Sequence, residues 1–575
     1  MIDSLFIGPH GENREFLQDI WQDMLQRTLK YRRDTFPEDG LRLMEGPGEQ
    51  RYQTVKEGIA QFFEVLNKEV PTFSDRYLGH MVSDVSIPAL IGNIAVLFCN
   101  PNLASEETAK AGVFFETRAI NALAEMIGFE PRSVRGHFTS GGTMANFEAL
   151  WRARYRMDHW LSMAAYLLEH GHSHSAIFDL AHQGWESFYR HKARHAIDMN
   201  ELRKRSYVMQ GPWDIANYYR DTLKREFPQP VILVPRNKHY SWPKSANVFG
   251  ISERAIWPTE LDRHGRLSIK SLEANIERAR QQGRPIMMNV SVTGTTELGS
   301  VDPVDEVNAV LRRYREQEGI HIWHHIDAAY GGYFCSTFKG GKSKLSPRVV
   351  KAFAAMPDAD SVTLDPHKLG YVPYACGAFL VRDAVSYAVS HISAPYLQEE
   401  VDIEYPSWST TLEGSRSATG AGAVWLSSRV LPLDASGHGE LLNQSLAVKN
   451  RFEEKLSQQF PELHFMPASD TNIISFVLAQ PNSSLNSVNT LTAYLIERFL
   501  ASPNFSITRT SLGLDNYPEM IKTVVRGWNG DLDDDHLLVI RMVVMGPYLS
   551  DGDANERLMD SFIAELQQFC NDRAR

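Results

Sequence analysis

The stretch SVTLDPHKLG, Ser361 to Gly370, places a lysine just beyond the end of an apolar run. Ligands of open α/β sheets bind at the carboxyl ends of strands, so Lys368 stands at a position suited to chemistry. A lysine amine can bond to an aldehyde once burial or a neighbouring cation lowers its pKa and frees its lone pair. The simpler interpretation is a solvated turn in which His367 and Lys368 do no chemistry.

A glycine pair in HFTSGGTMAN precedes a helical pattern that begins near Thr143. Glycines let backbone amides approach an anion, and the amino end of a helix adds a favourable dipole. Gly141 and Gly142 could therefore cradle a phosphate. The alternative is an ordinary helix start that is capped by the side chain of Ser140 or Thr143.

Two more chemically versatile side chains follow apolar runs. Asp327 ends the run HHID, where a carboxylate is costly unless it is paired. It could pair with an arginine, or it could face a protonated heterocyclic nitrogen, with Ala329 leaving room for a flat ring. His239, which follows PVILVPR, could stack on such a ring or could be an ordinary loop histidine.

These features together match the needs of one cofactor. A phosphate cradle, a partner for a ring nitrogen, a stacking face and an aldehyde-binding lysine are the equipment for pyridoxal 5'-phosphate. On this interpretation Lys368 holds the cofactor aldehyde and His367 lies near the phosphate. The sequence therefore predicts a pyridoxal 5'-phosphate site.

Five segments resemble the group II pyridoxal-phosphate-dependent amino-acid decarboxylases of the aspartate aminotransferase fold type. They are TSGGTMAN, NKHYSWPKSA, GTTELGSVDP, HIDAAYGG and DPHKLGYVPYACGA. These segments run in the family's order from Thr139 to Gly377, and a further match extends to about Trp425. Within the family, bacterial tyrosine decarboxylases look most similar, on RYLGHMVSD, DPHKLGYVPY and TTLEGSRSATGAGAVW.

The resemblance implies a role for each matching position. Lys368 resembles the lysine that bonds to the cofactor, and Asp327 resembles the carboxylate that keeps the pyridine nitrogen protonated. His239 and Ala329 resemble the residues that pack on the two faces of the ring. The other cofactor contacts that it implies are Gly142, Thr143, His367, Thr293 and, from the neighbouring subunit of a homodimer with shared active sites, Ser415.

Two further residues are implied in substrate chemistry. Tyr396 resembles the mobile-loop tyrosine that protonates the substrate carbanion, with Tyr405 in the same segment as a second candidate. His80 resembles a histidine of the substrate pocket. Loop closure around these groups would exclude water and suppress protonation at the wrong carbon.

The implied activity is conversion of an L-amino acid to an amine and carbon dioxide, with tyrosine or another aromatic amino acid as substrate. An aspartate or glutamate decarboxylase is the alternative, and its pocket would need a cation such as Arg76 or Lys244. Another pyridoxal-phosphate reaction or a non-catalytic homologue is also open. Intact Lys368, Asp327 and His239 argue against an inert protein.

The elements that must position these residues alternate from about Gly112 to Asp383. Short apolar runs rich in β-branched residues are separated by amphipathic stretches, which predicts an α/β fold with a mostly parallel sheet. The resemblance implies the pyridoxal-phosphate transferase fold, with seven strands in the large domain. We expect a helical and irregular segment packing on the partner subunit over 1–110, a large cofactor-binding domain over 111–430, and a small α+β domain over 431–575.

The composition restricts the partners. A net charge of −11 argues against nucleic acid or an anionic membrane, because both require a basic face. No signal peptide is expected from MIDSLFIGPHGENREF, and the four cysteines are too scattered for a disulfide framework or a zinc site. His170, His172 and His174 are interpreted as a polar loop. We expect a cytoplasmic protein with no metal site.

Overall fold

The computed structural model describes residues 2–35, 46–391, 409–467, 469–548 and 552–574. Its larger sheet has the strand order β1-β7-β6-β5-β4-β2-β3. All neighbouring pairs are parallel except those made by β7, which runs antiparallel to both β1 and β6. The strands are β1 Arg135–Thr139, β2 Val231–Pro235, β3 Ile256–Thr259, β4 Ile286–Val292, β5 His324–Asp327, β6 Ser361–Leu364 and β7 Gly377–Val381.

The central strands are buried on both faces because helices cover the sheet on either side. Every residue of β2, β4, β5, β6 and β7 is buried, which explains their nearly continuous apolarity. The helices of this part of the chain are α4 Lys110–Ile127, α5 Gly142–Glu169, α6 Ile177–Leu180, α7 Gly184–Arg194, α8 Met199–Arg203, α9 Pro212–Asp221, α10 Ser241–Val248, α11 Ile269–Gln281, α12 Val304–Glu318, α13 Pro347–Ala354, α14 Ala384–Ala388 and α15 Thr419–Val430.

A second, antiparallel sheet follows with the order β10-β11-β9-β8. Its strands and helices enclose a separate apolar core that includes Phe452, Phe476 and Phe562. The elements are α16 His438–Gln459, β8 Leu463–Phe465, β9 Ile473–Leu478, α17 Leu485–Ala501, β10 Thr508–Gly513, α18 Pro518–Arg526, β11 His536–Val543 and α19 Gly552–Ala574.

The N-terminal region consists of α1 Arg14–Thr35, α2 Glu49–Leu66 and α3 Ile87–Leu97. The third helix packs closely against α15, where the backbones meet at Gly92 and Gly422: a Cβ on Gly92 would lie 2.6 Å from the Gly422 carbonyl oxygen. The second helix has no buried residue. No helix among the described residues is long and apolar enough to cross a membrane.

The predicted fold class is confirmed, with differences in detail. The run HIWHHID forms a strand only from His324, because the residues before it connect α12 to the sheet. Strands β1 and β3 were not predicted, since RGHFT and IWPT are short and mix polar residues or proline with apolar ones. The division of the chain at residues 110 and 430 stays a prediction.

Candidate active site

A cavity of about 320 Å³ lies at the carboxyl ends of the parallel strands. Loops after β1, β2, β4, β5 and β6 all reach it, as expected for ligand sites of α/β sheets. Seven lining residues belong to the predicted site: Lys368, Asp327, His239, His367, Ala329, Gly142 and Thr143. Asn146, Asn237, Tyr330 and Asp365 also line the cavity. The fold therefore brings together residues that are more than 200 positions apart in the sequence.

Lys368 reaches into this cavity from the turn after β6. Its Nζ lies 3.0 Å from Oδ2 of Asp365, and the side chain is 19% exposed. Burial works to lower the pKa of Lys368, but the carboxylates of Asp365 and Asp327 outweigh burial and raise the pKa. The expectation of a lowered lysine pKa is therefore wrong for the cofactor-free chain, because carboxylates surround the amine.

Asp365 is the nearest partner of this lysine and is itself buried. Burial would raise its pKa, yet Lys368 and His367 together hold that pKa below the ordinary value. Its Oδ1 has no hydrogen-bond partner among the described residues. Asp365 is therefore the buried counter-charge of the Lys368 ammonium, which it contacts through its other oxygen, Oδ2.

Asp327 ends β5 with its carboxylate held by two donors. The Asn146 side-chain amide donates to Oδ2 at 2.8 Å, and the Ala329 backbone amide donates to Oδ1 at 3.3 Å. The residue is 5% exposed. No basic side chain is hydrogen-bonded to this carboxylate among the described residues, so the arginine pairing considered from the sequence is not observed.

Asn146 connects Asp327 to a directed chain of hydrogen bonds. Its amide group donates both to Asp327 and to Ser241 Oγ at 2.9 Å, and its Oδ1 accepts from Thr363 at 2.9 Å. Because Ser241 Oγ accepts from Asn146, its own hydroxyl proton is free to donate to His239 Nδ1, which lies 2.9 Å away. His239 is thereby held as the tautomer that carries its proton on Nε2.

The same chain continues into strands β5 and β6. Trp323 Nε1 donates to Ser361 Oγ at 2.9 Å, and that oxygen is also 2.9 Å from His325 Nδ1. His325 Nε2 lies 3.3 Å from Asn146 Oδ1, which can only accept. Burial lowers the pKa of His325 to about 3, so the ring is neutral near pH 7. Ser361 Oγ then donates to His325 Nδ1, and His325 Nε2 donates to Asn146 Oδ1.

His239 occupies the predicted place on the wall of the cavity. The pKa of His239 is lowered, and burial is the largest cause. Asp327 opposes this shift, whereas Lys368 adds to it. The ring is therefore neutral near pH 7 and can lie flat against another ring without the cost of burying a charge.

The amino end of α5 has the form expected of a phosphate cradle. The capping residue is Gly141, and no side chain caps the helix, so the alternative of a Ser140 or Thr143 cap is wrong. A Cβ on Gly142 would lie 2.8 Å from Asp365 Oδ2 and 3.1 Å from Ala329 Cβ, so only glycine fits. The first amides of α5 are left for an anion.

His367 completes this end of the cavity. Its Nδ1 accepts from the Cys376 backbone amide at 3.1 Å, which leaves the proton on Nε2. The ring stacks on Tyr374 with centroids 3.9 Å apart. That Nε2 lies 3.5 Å from Asp365 Oδ2, a long contact that leaves the N–H able to donate to a phosphate oxygen beside the uncapped helix.

The other predicted residues are placed less directly. Thr293 is fully buried beside the cavity, and its Oγ1 has no partner among the described residues. Ser415 is exposed, accepts from Asn102 Nδ2 at 3.0 Å and does not line the cavity of its own chain. His80 is exposed near Arg541 and does not line the cavity. Tyr396 and Tyr405 lie outside the described residues.

Sequence reasoning missed Asp365, Asn146, Ser241 and Arg541. The first three lie inside the quoted motifs, but only the folded chain shows that they touch Lys368, Asp327 and His239. Arg541 is buried in β11 and donates to the Gly79 carbonyl at 3.2 Å, while its Nε and Nη2 have no partner among the described residues. A polar residue in the apolar run LLVIRMVVM was its only sequence signal.

The residues present fit pyridoxal phosphate. The uncapped helix and His367 suit its phosphate, the fixed Asp327 carboxylate suits a protonated ring nitrogen, and neutral His239 suits the ring face. The orphaned Thr293 Oγ1 and Asp365 Oδ1 are polar atoms that still need partners. Lys368 is the one lysine that lines the cavity among the described residues.

Comparison with known proteins agrees with this chemistry. Residues 221–479 match the pyridoxal-dependent decarboxylase conserved domain. The chain is 27% identical to the L-tyrosine decarboxylase of Levilactobacillus brevis, covering 96% of this chain and 93% of that protein. It is also 27% identical to the L-tyrosine decarboxylase of Enterococcus faecium, over 98% and 97% of the two chains.

Solved structures share the fold. Mouse CSAD has a TM-score of 0.66 at 20% identity, covering 92% of this chain and 89% of the other. Catharanthus roseus tryptophan decarboxylase, solved in complex with L-tryptophan, has a TM-score of 0.63 at 16% identity, covering 98% and 99%. The pyridoxal-phosphate transferase fold expected from the sequence is thus the observed one.

Proposed function

Since the chain belongs to the pyridoxal-dependent decarboxylase family and is an amino-acid carboxy-lyase, we propose that it decarboxylates L-tyrosine or another aromatic L-amino acid. The observation that carries the chemistry is the placement of Lys368 and Asp327 in one cavity, with His239 on its wall. The aromatic substrate is supported by two tyrosine decarboxylases that align over nearly the whole chain.

Pyridoxal phosphate, when bound, supplies a conjugated ring that accepts the electron pair left by departing carbon dioxide. We assign its phosphate to Gly142, Thr143 and His367, and its aldehyde to Lys368. Thr293 is proposed to serve the ring hydroxyl region, which would satisfy its orphaned oxygen. Ala329 and His239 are proposed to pack on the ring faces.

Lys368 must lose a proton before its amine can act as a nucleophile. Asp365 Oδ2, at 3.0 Å, is the nearest counter-charge of the ammonium and opposes that loss. Asp365 raises the pKa of Lys368 while its own pKa is lowered, so the two form an ion pair in the resting site. The proton is proposed to leave to solvent, with Asp365 stabilising the ammonium whenever the lysine is released.

Asp327 acts through its fixed negative charge. A carboxylate beside a ring nitrogen raises the pKa of that nitrogen and keeps it protonated, which makes the ring a better electron acceptor. Asn146 and the Ala329 amide hold the carboxylate in one orientation. Tyr396 is proposed as the group that protonates the substrate Cα after decarboxylation.

The acidic-substrate alternative needs a cation near the substrate side chain, and neither predicted cation suits it. Arg76 lies over the Phe505 ring and Lys244 over the Tyr240 ring, and neither lines the cavity. Arg541 adjoins His80, the proposed substrate residue, although it too does not line the cavity of its own chain. An aspartate decarboxylase with 27% identity over 69% of the chain keeps this alternative as the second candidate.

We propose a homodimer that shares its active sites. One face of α2 exposes Tyr52, Val55, Ile59 and Phe62, each at least 47% exposed, and a second copy would cover it. Ser415, which lies away from its own cavity, would then serve the partner's phosphate. The four free cysteines fit the reducing cytoplasm that we propose as its location.

A panel of the twenty L-amino acids with carbon dioxide detection tests the substrate. We expect release from tyrosine or a close aromatic analogue, with the amine as the other product. Release from aspartate or glutamate alone would replace the aromatic proposal with the acidic one. Keto-acid formation without carbon dioxide would refute decarboxylation.

A further inference from the structure

A second cavity, of about 240 Å³, lies at the opposite edge of the large sheet. It is bordered by the amino ends of β5 and β6 and by the carboxyl end of β7, because β7 runs against its neighbours. Helix α12 and the start of α7 form its other walls. None of its lining residues belongs to the cofactor cavity.

Four arginines line this cavity: Arg156, Arg312, Arg315 and Arg382. Four side chains from three separate segments thus bring positive charge to one small volume. Guanidinium groups in such a cluster repel one another unless anions lie between them. The net charge of the cavity therefore depends on which of its acidic residues already pair with these arginines.

Three aspartates line the cavity, and two of them are already engaged. Asp360 pairs with Arg382 at 3.0 Å and accepts the His324 backbone amide at 2.7 Å. Asp383 accepts the Ser386 amide at 2.8 Å as the cap of α14. Asp358 is exposed at the rim. Among the described residues, Arg156 and Arg312 have no hydrogen-bonded carboxylate from this wall, and Arg315 has only Glu316, 3.9 Å away on its own helix.

Arg156 is the inner cation of the cavity. It is 5% exposed, its Nη2 donates to the His321 carbonyl at 2.9 Å, and its Nη1 has no partner among the described residues. Burial lowers its pKa and Asp360 offsets that only in part. A buried guanidinium with an unused donor is costly by itself and is stabilised by an anion.

His321 lies between two of these cations. Burial, together with the charges of Arg156 and Arg315, lowers its pKa to about 4. The ring is therefore neutral near pH 7 and does not add to the positive charge. It can donate or accept a hydrogen bond to a ligand that occupies the cavity.

We propose that this cavity binds a small oxyanion, a phosphate or carboxylate group, between Arg156 on the inside and Arg312 and Arg315 at the mouth. Guanidinium groups bind both anions through paired N–H donors. The site is separate from catalysis: it lies across the sheet from Lys368 and uses none of the residues of the cofactor cavity.

The test titrates inorganic phosphate into the cofactor-loaded enzyme by calorimetry, so that the cradle at Gly142 is already filled. Arg315→Gln and Arg312→Gln change exposed side chains and should fold normally, whereas Arg156→Gln removes the inner donor. Arg313→Gln is the matched control, because Arg313 lies on the same helix but pairs with Glu273 at 2.7 Å outside the cavity.

We expect one phosphate per chain, a tenfold or greater loss of affinity in Arg156→Gln, a several-fold loss in Arg312→Gln and Arg315→Gln, and no change in Arg313→Gln. A parallel titration with succinate distinguishes a phosphate ligand from a carboxylate ligand. The anion that binds more tightly identifies the group that the site prefers. Absence of binding to wild type, or equal binding by Arg315→Gln and Arg313→Gln, would overturn the proposal. If Arg156→Gln does not fold, the Arg315 and Arg313 pair alone decides.

Discussion

Replacing Asn146 by alanine tests whether the buried hydrogen-bond chain holds Asp327 for the cofactor. Asn146 is 1% exposed and makes the shorter of the two hydrogen bonds to the Asp327 carboxylate. The substitution removes that donor and also takes one partner each from Ser241 and Thr363. Asp327 would retain only the 3.3 Å bond from the Ala329 amide.

The size of the effect follows from the charge on the acceptor. A hydrogen bond to a charged group contributes about 1.5–3 kcal/mol, and about 1.4 kcal/mol corresponds to a factor of ten. Part of this loss appears as lower folding stability and part as a less well oriented Asp327. We therefore expect the dissociation constant for pyridoxal phosphate to rise and turnover to fall, with a combined effect of at most roughly 10- to 100-fold.

The assay measures cofactor binding by its absorbance and quenching of protein fluorescence, independently of turnover. Asn443→Ala is the matched control: Asn443 is also a buried helical amide, but it bonds to the Thr337 carbonyl and to the Lys344 amide, far from the cavity. Both variants should unfold at lower urea concentration than wild type. Wild-type cofactor affinity in Asn146→Ala would refute the positioning role.

Three other outcomes are expected. Asp327→Ala should lower turnover by about 10³-fold or more at saturating cofactor, since it removes the charge that keeps the ring nitrogen protonated; near-normal turnover in a steady-state assay would contradict this. Tyr396→Phe should shift the products from amine toward carbonyl compound, because the Cα proton donor is lost; an unchanged product ratio by chromatography would move that role to Tyr405 or elsewhere. Burial lowers the pKa of His324 and His325 to about 3 from the ordinary 6.5, so the unfolded chain binds protons that the folded chain does not as the pH falls below 6.5. Stability should decline by about 1.4 kcal/mol per pH unit for each histidine; urea midpoints at pH 7 and pH 5 measure it, and His325→Gln should flatten the change.

The parts of the site that follow from local sequence could be predicted. The five strand-end motifs carry their own turn chemistry, so Lys368, Asp327, His239 and the glycines of α5 were found by reading each segment alone. The long apolar strands were equally clear, because burial on both faces leaves an uninterrupted run such as IMMNVSV. The edge strands β1 and β3 lack that signature, since their pattern depends on neighbours that only the fold supplies.

What the sequence could not show was the protonation of the site, and this matters for its mechanism. A lysine after a strand suggests a free amine only if its surroundings are apolar or cationic. The turn that presents Lys368 also presents Asp365 three residues earlier, and β5 adds Asp327 from a distant segment. These two carboxylates keep the amine charged, so the amine must lose its proton against their charge before the cofactor can attach. In Asp365→Asn the lysine would lose its strongest counter-charge, so its pKa should fall and cofactor attachment should become faster. Stopped-flow absorbance after mixing the apo-variant with pyridoxal phosphate measures that rate. Attachment no faster than in wild type would show that Asp365 does not hold the amine in its charged form.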